Sequence, residues 1–242
     1  AKGADVIFHF AAILGVDIVA DNPIETMETE VNGMQSVAHA CAINGIEKLI
    51  YASTSGVYGH LALEQSVNEE ILVDPHTSYA MAKRYNEIYL ASLFEEKGIN
   101  SIALRFFNIY GLRQDNRMVI PRFIEQAMKG EPLTVYGTGE QTRDFTYVED
   151  AINCTINLAK NVQGFEIFNI ANEKEATIEE LAKEIIRLLN SKSEIHHIEA
   201  PKKRYDYEVG RRYGSSEKLL THTGYKPSTG LQEGLSIVMK EV

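Results

Sequence analysis

The first half of the chain alternates short, nearly continuous apolar runs with longer segments in which apolar residues recur every three or four positions. The apolar runs are typical of strands buried on both faces of a parallel sheet, and they cover Asp5–Ala12, Lys48–Ser53 and Ser101–Phe106. The periodic segments predict helices over Ile24–Asn44 and Tyr79–Lys97, each followed by a glycine that can end it. This alternation predicts a doubly wound α/β fold with a parallel sheet, because crossovers between parallel strands are right-handed.

Beyond Asn108 the elements are shorter and their connections more polar. Helices are predicted over Val119–Lys129, Glu149–Ala159, Thr177–Leu189 and Leu231–Lys240, and short strands over Leu133–Val135 and Ile167–Ile170. Neither a repeat nor a low-complexity linker separates this part from the first half. We therefore expect the two parts to pack against each other.

Composition and charge narrow the possible functions. The chain has 242 residues, of which 44% are apolar, and a formal net charge of −10. This charge argues against nucleic acid as a partner, because proteins that bind the phosphate backbone rely on basic surfaces. The apolar runs are too short to span a membrane. Cys41 and Cys154 fit neither a zinc spacing nor a disulfide framework, which favours a reducing compartment and hence the cytoplasm.

The most informative pair of polar residues is Tyr79 and Lys83, which lie four positions apart on one face of a predicted helix. The spacing alone is equally typical of a solvated helix face. The helix, however, follows the turn at 53–55, which leaves the carboxyl end of a predicted buried strand, where ligands bind in open α/β sheets. An adjacent ammonium favours a phenolate, so we expect Lys83 to lower the pKa of Tyr79 and make it a usable base.

Six sequence motifs occur in the order seen in extended short-chain dehydrogenases/reductases. They are VIFHFAA at 6–12, YASTSGVYG at 51–59, SYAMAK at 78–83, RFFNIYG at 105–111, TRDFTYVED at 142–150 and TGYKP at 223–227. On these motifs the chain resembles the nucleotide-sugar epimerase/dehydratase branch of that superfamily over nearly its whole length. The resemblance implies a Rossmann-like sheet, NAD as the cofactor with NADP not excluded, a nucleotide-diphosphate sugar as the substrate, and a homodimer built from the helices at 26–44 and 78–97.

The resemblance also implies roles for individual residues. Tyr79 corresponds to the general base, Lys83 to the lysine that holds the nicotinamide ribose, and Thr54 to the residue that hydrogen-bonds the sugar hydroxyl being oxidised. Besides Tyr79 and Lys83, cofactor contacts are implied for Phe10, Ala11, Ala12, Asn32, Ser53 and Phe106. For the first four of these six residues, core packing is an equally good interpretation; Asn32 corresponds to a polar position close to the active-site strand.

Substrate contacts are implied for Asn108, Arg143 and Arg204. The first two correspond to positions at the diphosphate, where a guanidinium presents a fixed fork of donors to two phosphates. For Arg143 the alternative is a surface ion pair with a nearby carboxylate. Within the basic cluster at 202–212, Arg204 is the residue that we assign to this contact. The alternative is that the cluster is only a charged surface. A metal site is not expected, because His196 and His197 are adjacent and the sequence has no HExxH spacing.

The layout of the family divides the chain into a dinucleotide-binding part, 1–108 with 145–171 returning to it, and a substrate-binding part, 109–144 with 172–242. The glycine-rich turn that binds the cofactor phosphates in this family does not occur in the sequence, nor does the acidic residue that selects the adenosine ribose. We expect both on a segment that precedes Ala1. The choice between NAD and NADP is therefore left open.

The turn at 53–59 favours one reaction among those of the family. Members that eliminate water carry an Asp-Glu pair where Ser55 and Gly56 stand, and members that decarboxylate a sugar acid commonly carry a Glu at the position of Gly56. Without these carboxylates, Thr54, Tyr79 and Lys83 remain to handle protons, and this set is sufficient for reversible hydride transfer. We predict epimerisation at C4 of a nucleotide-linked hexose. The alternatives are a dehydratase, decarboxylase or reductase and, more remotely, a non-catalytic NAD-sensing protein, against which the intact set argues.

Overall fold

The structure, a computed structural model, describes residues 1–63, 65–199 and 210–241 of the chain. Its strands are β1 (Val6–His9), β2 (Lys48–Thr54), β3 (Asn100–Phe106), β4 (Ile109–Tyr110), β5 (Leu133–Tyr136), β6 (Thr142–Asp144), β7 (Thr146–Tyr147), β8 (Phe165–Ile170), β9 (Glu175–Thr177) and β10 (Ile195–Ile198). Its helices are α1 (Val16–Asp21), α2 (Pro23–Asn44), α3 (Ser78–Lys97), α4 (Val119–Lys129), α5 (Val148–Asn161), α6 (Ile178–Leu188), α7 (Glu217–Thr223) and α8 (Leu231–Met239), with a 3-10 segment over Ser55–Leu63. The helices and strands that the sequence pattern predicts are all present, with bounds that differ by a few residues.

Four parallel strands form the main sheet in the order β1-β2-β3-β8. Side chains from α2 and α3 cover one face, where Met34 and Leu90 pack with Leu49 of β2. Side chains from α5 and α7 cover the other face, where Leu158 and Leu219 belong to one buried cluster with strand residues. Helices on both faces explain why the strands read as continuous apolar runs. The prediction of a doubly wound parallel α/β fold is confirmed.

The ends of α3 are determined by local sequence. The side chain of Thr77 accepts a hydrogen bond from the Ala80 amide at 3.1 Å and so caps the first turn. Gly98 ends the helix with φ 68°, a left-handed conformation that costs glycine little. Because the cap fixes where the helix begins, Tyr79 and Lys83 lie in its first turns, next to the carboxyl end of β2.

A second hydrophobic cluster lies outside the main sheet. It packs α4, α6 and α8 around the inner side of β5, with Phe123, Leu133, Leu181 and Leu235 fully buried. Short strand pairs border it: β5 pairs with β10 in parallel, β4 with β7 in parallel, and β6 with β9 in antiparallel orientation. The sequence pattern did not predict five of these six strands, because runs of two to four residues, some of them polar, carry no clear periodicity.

Both cysteines are free and buried, and burial raises the pKa of the Cys154 thiol to about 12. In the part of the chain that the structure describes, no helix combines the length and apolar character needed to cross a membrane. The same residues contain no cluster of three or more His, Cys, Asp or Glu side chains with the geometry of a metal site.

Candidate active site

A cleft of about 740 Å³ lies at the carboxyl ends of β1, β2 and β3. Its walls include most of the predicted site residues: Phe10, Ala12, Ser53, Thr54, Tyr79, Lys83, Phe106 and Asn108. A smaller cavity of about 260 Å³ shares Thr54 and Tyr79 with it. The fold therefore brings the predicted catalytic residues together at the edge of the sheet where open α/β folds bind ligands.

Tyr79 and Lys83 share one face of α3, as their spacing predicts. The ammonium nitrogen Nζ of Lys83 lies 5.3 Å from the centre of the Tyr79 ring and 4.8 Å from the centre of the Tyr51 ring. Lys83 is only 1% exposed, so its charge is held in a nearly dry environment. A buried ammonium needs a counter-charge, because removing it from water is costly.

That counter-charge is Glu30, on the neighbouring helix α2. Its Oε2 lies 3.0 Å from Lys83 Nζ, and both side chains are almost completely buried. Its second carboxylate oxygen, Oε1, accepts a hydrogen bond from the Ile13 amide at 2.9 Å. Glu30 thus connects the lysine to the segment that follows β1.

Glu30 lies where the sequence analysis expected Asn32. Asn32 is exposed on α2 and lines neither cavity, so that expectation is wrong about the position. The side chains of α2 that are buried recur at Thr26, Glu30, Met34, Ala38 and Cys41, with spacings of three or four residues. A carboxylate within this inward stripe was the signal in the sequence for a buried charge.

The environment of Tyr79 differs from the one expected. Burial raises the pKa of Tyr79 above its usual range, and the negative charge of Glu30 raises it further. Burial also lowers the pKa of Lys83, while Glu30 opposes that change. The expectation that Lys83 lowers the pKa of Tyr79 is therefore wrong for this structure, because Glu30 neutralises the lysine and the phenol is withdrawn from water.

Two adjacent hydroxyls at the end of β2 have different partners. Thr54 lines both cavities, and its Oγ1 accepts a hydrogen bond from the Gly56 amide at 3.1 Å, which leaves its own proton for another acceptor. Ser53 donates its proton to Oε1 of Glu87 at 2.6 Å. Thr54 is therefore the hydroxyl of the pair that can donate its proton to a ligand, whereas the proton of Ser53 is already donated to Glu87.

Glu87 is the centre of a buried polar network behind the cleft. Arg105 binds it with two hydrogen bonds, from Nε at 2.9 Å and from Nη2 at 2.8 Å. Arg105 also donates to the Tyr58 hydroxyl, which donates to Asn169 on β8. Burial raises the pKa of Tyr58 to about 12 although Arg105 opposes the change. The network joins α3 to β2, β3 and β8, and the sequence analysis did not identify Glu87 as its centre.

The outer wall of the cleft offers aromatic rings and two amide oxygens. Phe10, half-exposed, packs edge-to-face against Phe106 with 6.1 Å between ring centres. Oδ1 of Asn108 and Oε1 of Gln114 are buried and have no hydrogen-bond partner in the structure. Asn108 adopts φ 32°, a left-handed conformation that asparagine tolerates better than most residues. Buried amide oxygens without partners in a cleft are suited to accept hydrogen bonds from ligand hydroxyls.

Besides Asn32, the predicted residues Ala11 and Arg143 line neither cavity. Ala11 is exposed beside the cleft. Arg143 is buried in β6 and donates to the Thr142 carbonyl at 2.7 Å. Arg204 lies outside the residues that the structure describes. Arg212, which the sequence analysis did not single out, lines the smaller cavity together with His60 and His76.

Comparisons with known proteins agree with this geometry. The chain is 38% identical to a UDP-N-acetyl-alpha-D-glucosaminuronate decarboxylase from Bacillus cytotoxicus, over 96% of the chain and 74% of that protein. It superimposes with a TM-score of 0.92 on a UDP-glucose 4-epimerase with UDP-glucose from Thermotoga maritima, at 27% identity over 98% of this chain and 76% of that one. The TM-score is 0.88 for a UDP-glucuronic acid 4-epimerase from Bacillus cereus in complex with UDP-glucuronic acid and NAD, at 28% identity over 98% of this chain and 74% of that one.

A family model covers most of the chain. The model of the NAD dependent epimerase/dehydratase family matches residues 1–171, which include the cleft-lining ends of β1, β2 and β3 and all of α3. The prediction of NAD as the cofactor is confirmed, because the matching family is described as NAD dependent. The resemblance read from the six motifs is confirmed, and the chain belongs to the NAD dependent epimerase/dehydratase family.

Proposed function

We propose that the protein epimerises a nucleotide-diphosphate sugar at C4, using NAD and passing through a transient keto sugar. The observation that carries this choice of reaction is the lining of the two cavities. Thr54 and Tyr79 line both cavities and Lys83 lines the larger one, whereas no Asp or Glu is found among the described residues that line either. Elimination of water needs a further acid and base beside the tyrosine, and the cavities lack such a pair.

The residues of the chain divide the proton chemistry among them. The phenolic oxygen of Tyr79 takes the proton of the 4-hydroxyl and later returns it to the keto oxygen. The Thr54 hydroxyl hydrogen-bonds the same sugar oxygen and orients it. Lys83 holds its positive charge beside the phenol, 5.3 Å from the ring centre. NAD, when bound, supplies the acceptor and donor of the hydride.

The lining of the cleft fits a cofactor and a sugar nucleotide. The rings of Phe10 and Phe106 provide an apolar wall for a flat heterocycle, and the Asn108 and Gln114 amide oxygens accept hydrogen bonds from ribose or sugar hydroxyls. Residues 109–144 and 172–242, the proposed substrate-binding part, contribute most of the second hydrophobic cluster, and α4 of that cluster lines the cleft through Val119 and Ile120. Asn108 and Arg143 remain the proposed diphosphate contacts, and Arg204 remains a proposed substrate contact.

The comparisons support UDP as the nucleotide, since the two structural relatives described above carry UDP-glucose and UDP-glucuronic acid. A second reaction is favoured by a specific observation: the decarboxylase from Bacillus cytotoxicus is 38% identical to the chain. Gly56 argues against decarboxylation here, because it leaves no carboxylate beside the substrate at the position where such members commonly carry one.

The test is to incubate the full-length protein and NAD with UDP-glucose, UDP-N-acetylglucosamine, UDP-glucuronate and their dTDP, GDP and CDP relatives. The products are identified by proton NMR. We expect that one pair of C4 epimers is interconverted and that NAD undergoes no net reduction. Release of CO₂ or accumulation of a 4-keto-6-deoxy sugar would contradict the proposal. Stoichiometric NADH would indicate a dehydrogenase, and NAD binding without turnover of any of these compounds would indicate a sensor.

A homodimer built from α2 and α3 is also proposed. Ile24, Tyr85 and Ile88 on these helices are exposed by 75%, 42% and 55%. Exposed apolar residues on adjacent helices favour burial against a second copy. Light scattering of the full-length protein is expected to give twice the monomer mass, and Ile88→Glu is expected to halve that mass.

The two free, buried thiols support the cytoplasm as the proposed compartment, because a reducing environment leaves cysteines unpaired.

A further inference from the structure

Hydrogen bonds from neighbouring residues hold Glu30 of the Glu30–Lys83 ion pair in place. Glu30 keeps its position through the Ile13 amide, which donates to Oε1, while Oε2 meets the lysine. On the helix side, the Asn86 amide donates to the Glu30 carbonyl oxygen at 3.2 Å and to the Tyr51 hydroxyl at 2.9 Å. These contacts tie the Glu30 backbone to α3, and the Ile13 amide holds its carboxylate beside the lysine.

Few other charges face this pair from the described elements around it. His9, on β1, stacks near Tyr51, and burial and the lysine charge lower the pKa of His9, which favours its neutral form. Glu87, on α3, is held by Arg105. The net charge around Tyr79 therefore depends on Glu30 and Lys83, which cancel.

We propose that Glu30 is a positioning residue of the active site: it holds the Lys83 ammonium in place and cancels most of the charge that this ammonium presents to Tyr79. The proposal rests on the proposed proton transfer by Tyr79. Its chemical consequence is that the phenol keeps its proton at neutral pH when no ligand is bound, so the resting site is ready to donate a proton to a keto oxygen. In the direction of oxidation, the phenol must first release its proton to solvent before it can take the proton of the sugar hydroxyl, and the positive charge of a bound oxidised cofactor would favour that release.

The size of the effect follows from Coulomb's law. For two charged groups about 7 Å apart, an effective dielectric constant of about 20 gives a shift of about one to two pH units in the titration of either group. Removing the Glu30 charge leaves the lysine unopposed, so the titration of Tyr79 moves to lower pH by that amount. A purely structural role for Glu30, as an acceptor for the Ile13 amide, predicts no such movement, because glutamine also accepts that hydrogen bond.

The test is a titration of Tyr79 in the full-length protein without ligand, with tyrosine labelled by ¹³C at Cζ and observed by NMR. Tyr79→Phe identifies the resonance. In Glu30→Gln we expect the resonance to begin moving about one to two pH units lower than in the wild type. Glu25→Gln, an exposed carboxylate on the same helix, is the matched control and is expected to leave the titration unchanged.

Glu30→Asp keeps the charge, so its Tyr79 titration is expected to lie closer to that of the wild type than the titration of Glu30→Gln does. This variant also provides a second measurement if Glu30→Gln folds poorly. In Glu30→Gln, the alkaline limb of the pH profile of kcat is expected to move in the same direction as the NMR titration of Tyr79. An unchanged Tyr79 titration in Glu30→Gln, or an equal shift in Glu30→Asp, would overturn the proposal. Because the NMR experiment needs no substrate, a shift in a protein that turns over no sugar nucleotide would overturn the proposed function and support the role of Glu30.

Discussion

The buried ion pair between Glu87 and Arg105 gives a quantitative test of how the active-site helix is held. The pair is fully buried, and the Glu87 carboxylate accepts hydrogen bonds from two nitrogens of Arg105, from Ser53 and from Arg84. Glu87→Gln keeps the shape of the side chain but removes its charge and converts one acceptor oxygen into a donor. That donor faces N–H groups, so the guanidinium loses its counter-charge and at least one hydrogen bond.

The expected loss is about 3 to 5 kcal/mol of unfolding free energy, because an unpaired charge in a dry interior cannot recover its hydration. For a chain of this length such a loss lowers the melting temperature by about 6 to 20 °C. The matched control is Glu125→Gln. Glu125 lies 2.6 Å from Lys129, a shorter ion pair than Glu87–Arg105, but both side chains are about half exposed. Its loss is expected to cost much less than the loss of the Glu87 charge, because water screens an exposed ion pair.

The assay is equilibrium unfolding in urea, monitored by far-ultraviolet circular dichroism, on the wild type and both single variants. Glu87→Gln is also made in an Arg105→Met background, where the charge that needs Glu87 is absent. There we expect the cost of Glu87→Gln to fall by at least about 2 kcal/mol. The reasoning is refuted if Glu87→Gln costs no more than Glu125→Gln, or if its cost is the same in both backgrounds.

Three further predictions concern the cleft and its borders. Tyr79→Phe is expected to reduce kcat to below a few per cent while calorimetry finds NAD affinity nearly unchanged, because only the phenolic oxygen is lost. Arg143→Lys is expected to raise KM several-fold in steady-state assays, since a lysine keeps the charge but not the fork of donors; an unaltered KM would favour a structural role. Gly59→Ala is expected to lower the melting temperature by several degrees in a thermal scan, because Gly59 has φ 55° and a Cβ there would meet the Asp74 carbonyl; a variant as stable as the wild type would contradict this.

Local sequence was sufficient for the elements whose causes are local. The helix α4 has the predicted bounds, Val119–Lys129, because its apolar side chains repeat with the helical period and a glycine follows it. The strands of the main sheet were visible as apolar runs because both of their faces are buried. Tyr79 and Lys83 were predicted to share one helix face because four residues make about one helical turn, and the motifs around them were sufficient to identify the family.

Contacts between residues far apart in the chain could not be predicted from the sequence. Glu30 and Lys83 meet only because α2 and α3 pack in one particular rotation. The sequence analysis named Asn32 from the resemblance to the family and did not identify Glu30. The short pair β6 and β9 forms because the chain returns after 30 residues to supply hydrogen-bond partners, which no local pattern indicates.

The acidity of Tyr79 depends on tertiary structure in the same way. From the sequence, a lysine one turn away was expected to lower the pKa of Tyr79. In the fold, burial and the carboxylate of Glu30 raise it instead. A side chain's identity fixes its charge, but the energy of that charge depends on every group within a few ångströms and on how much water is excluded, and only the packed structure determines both.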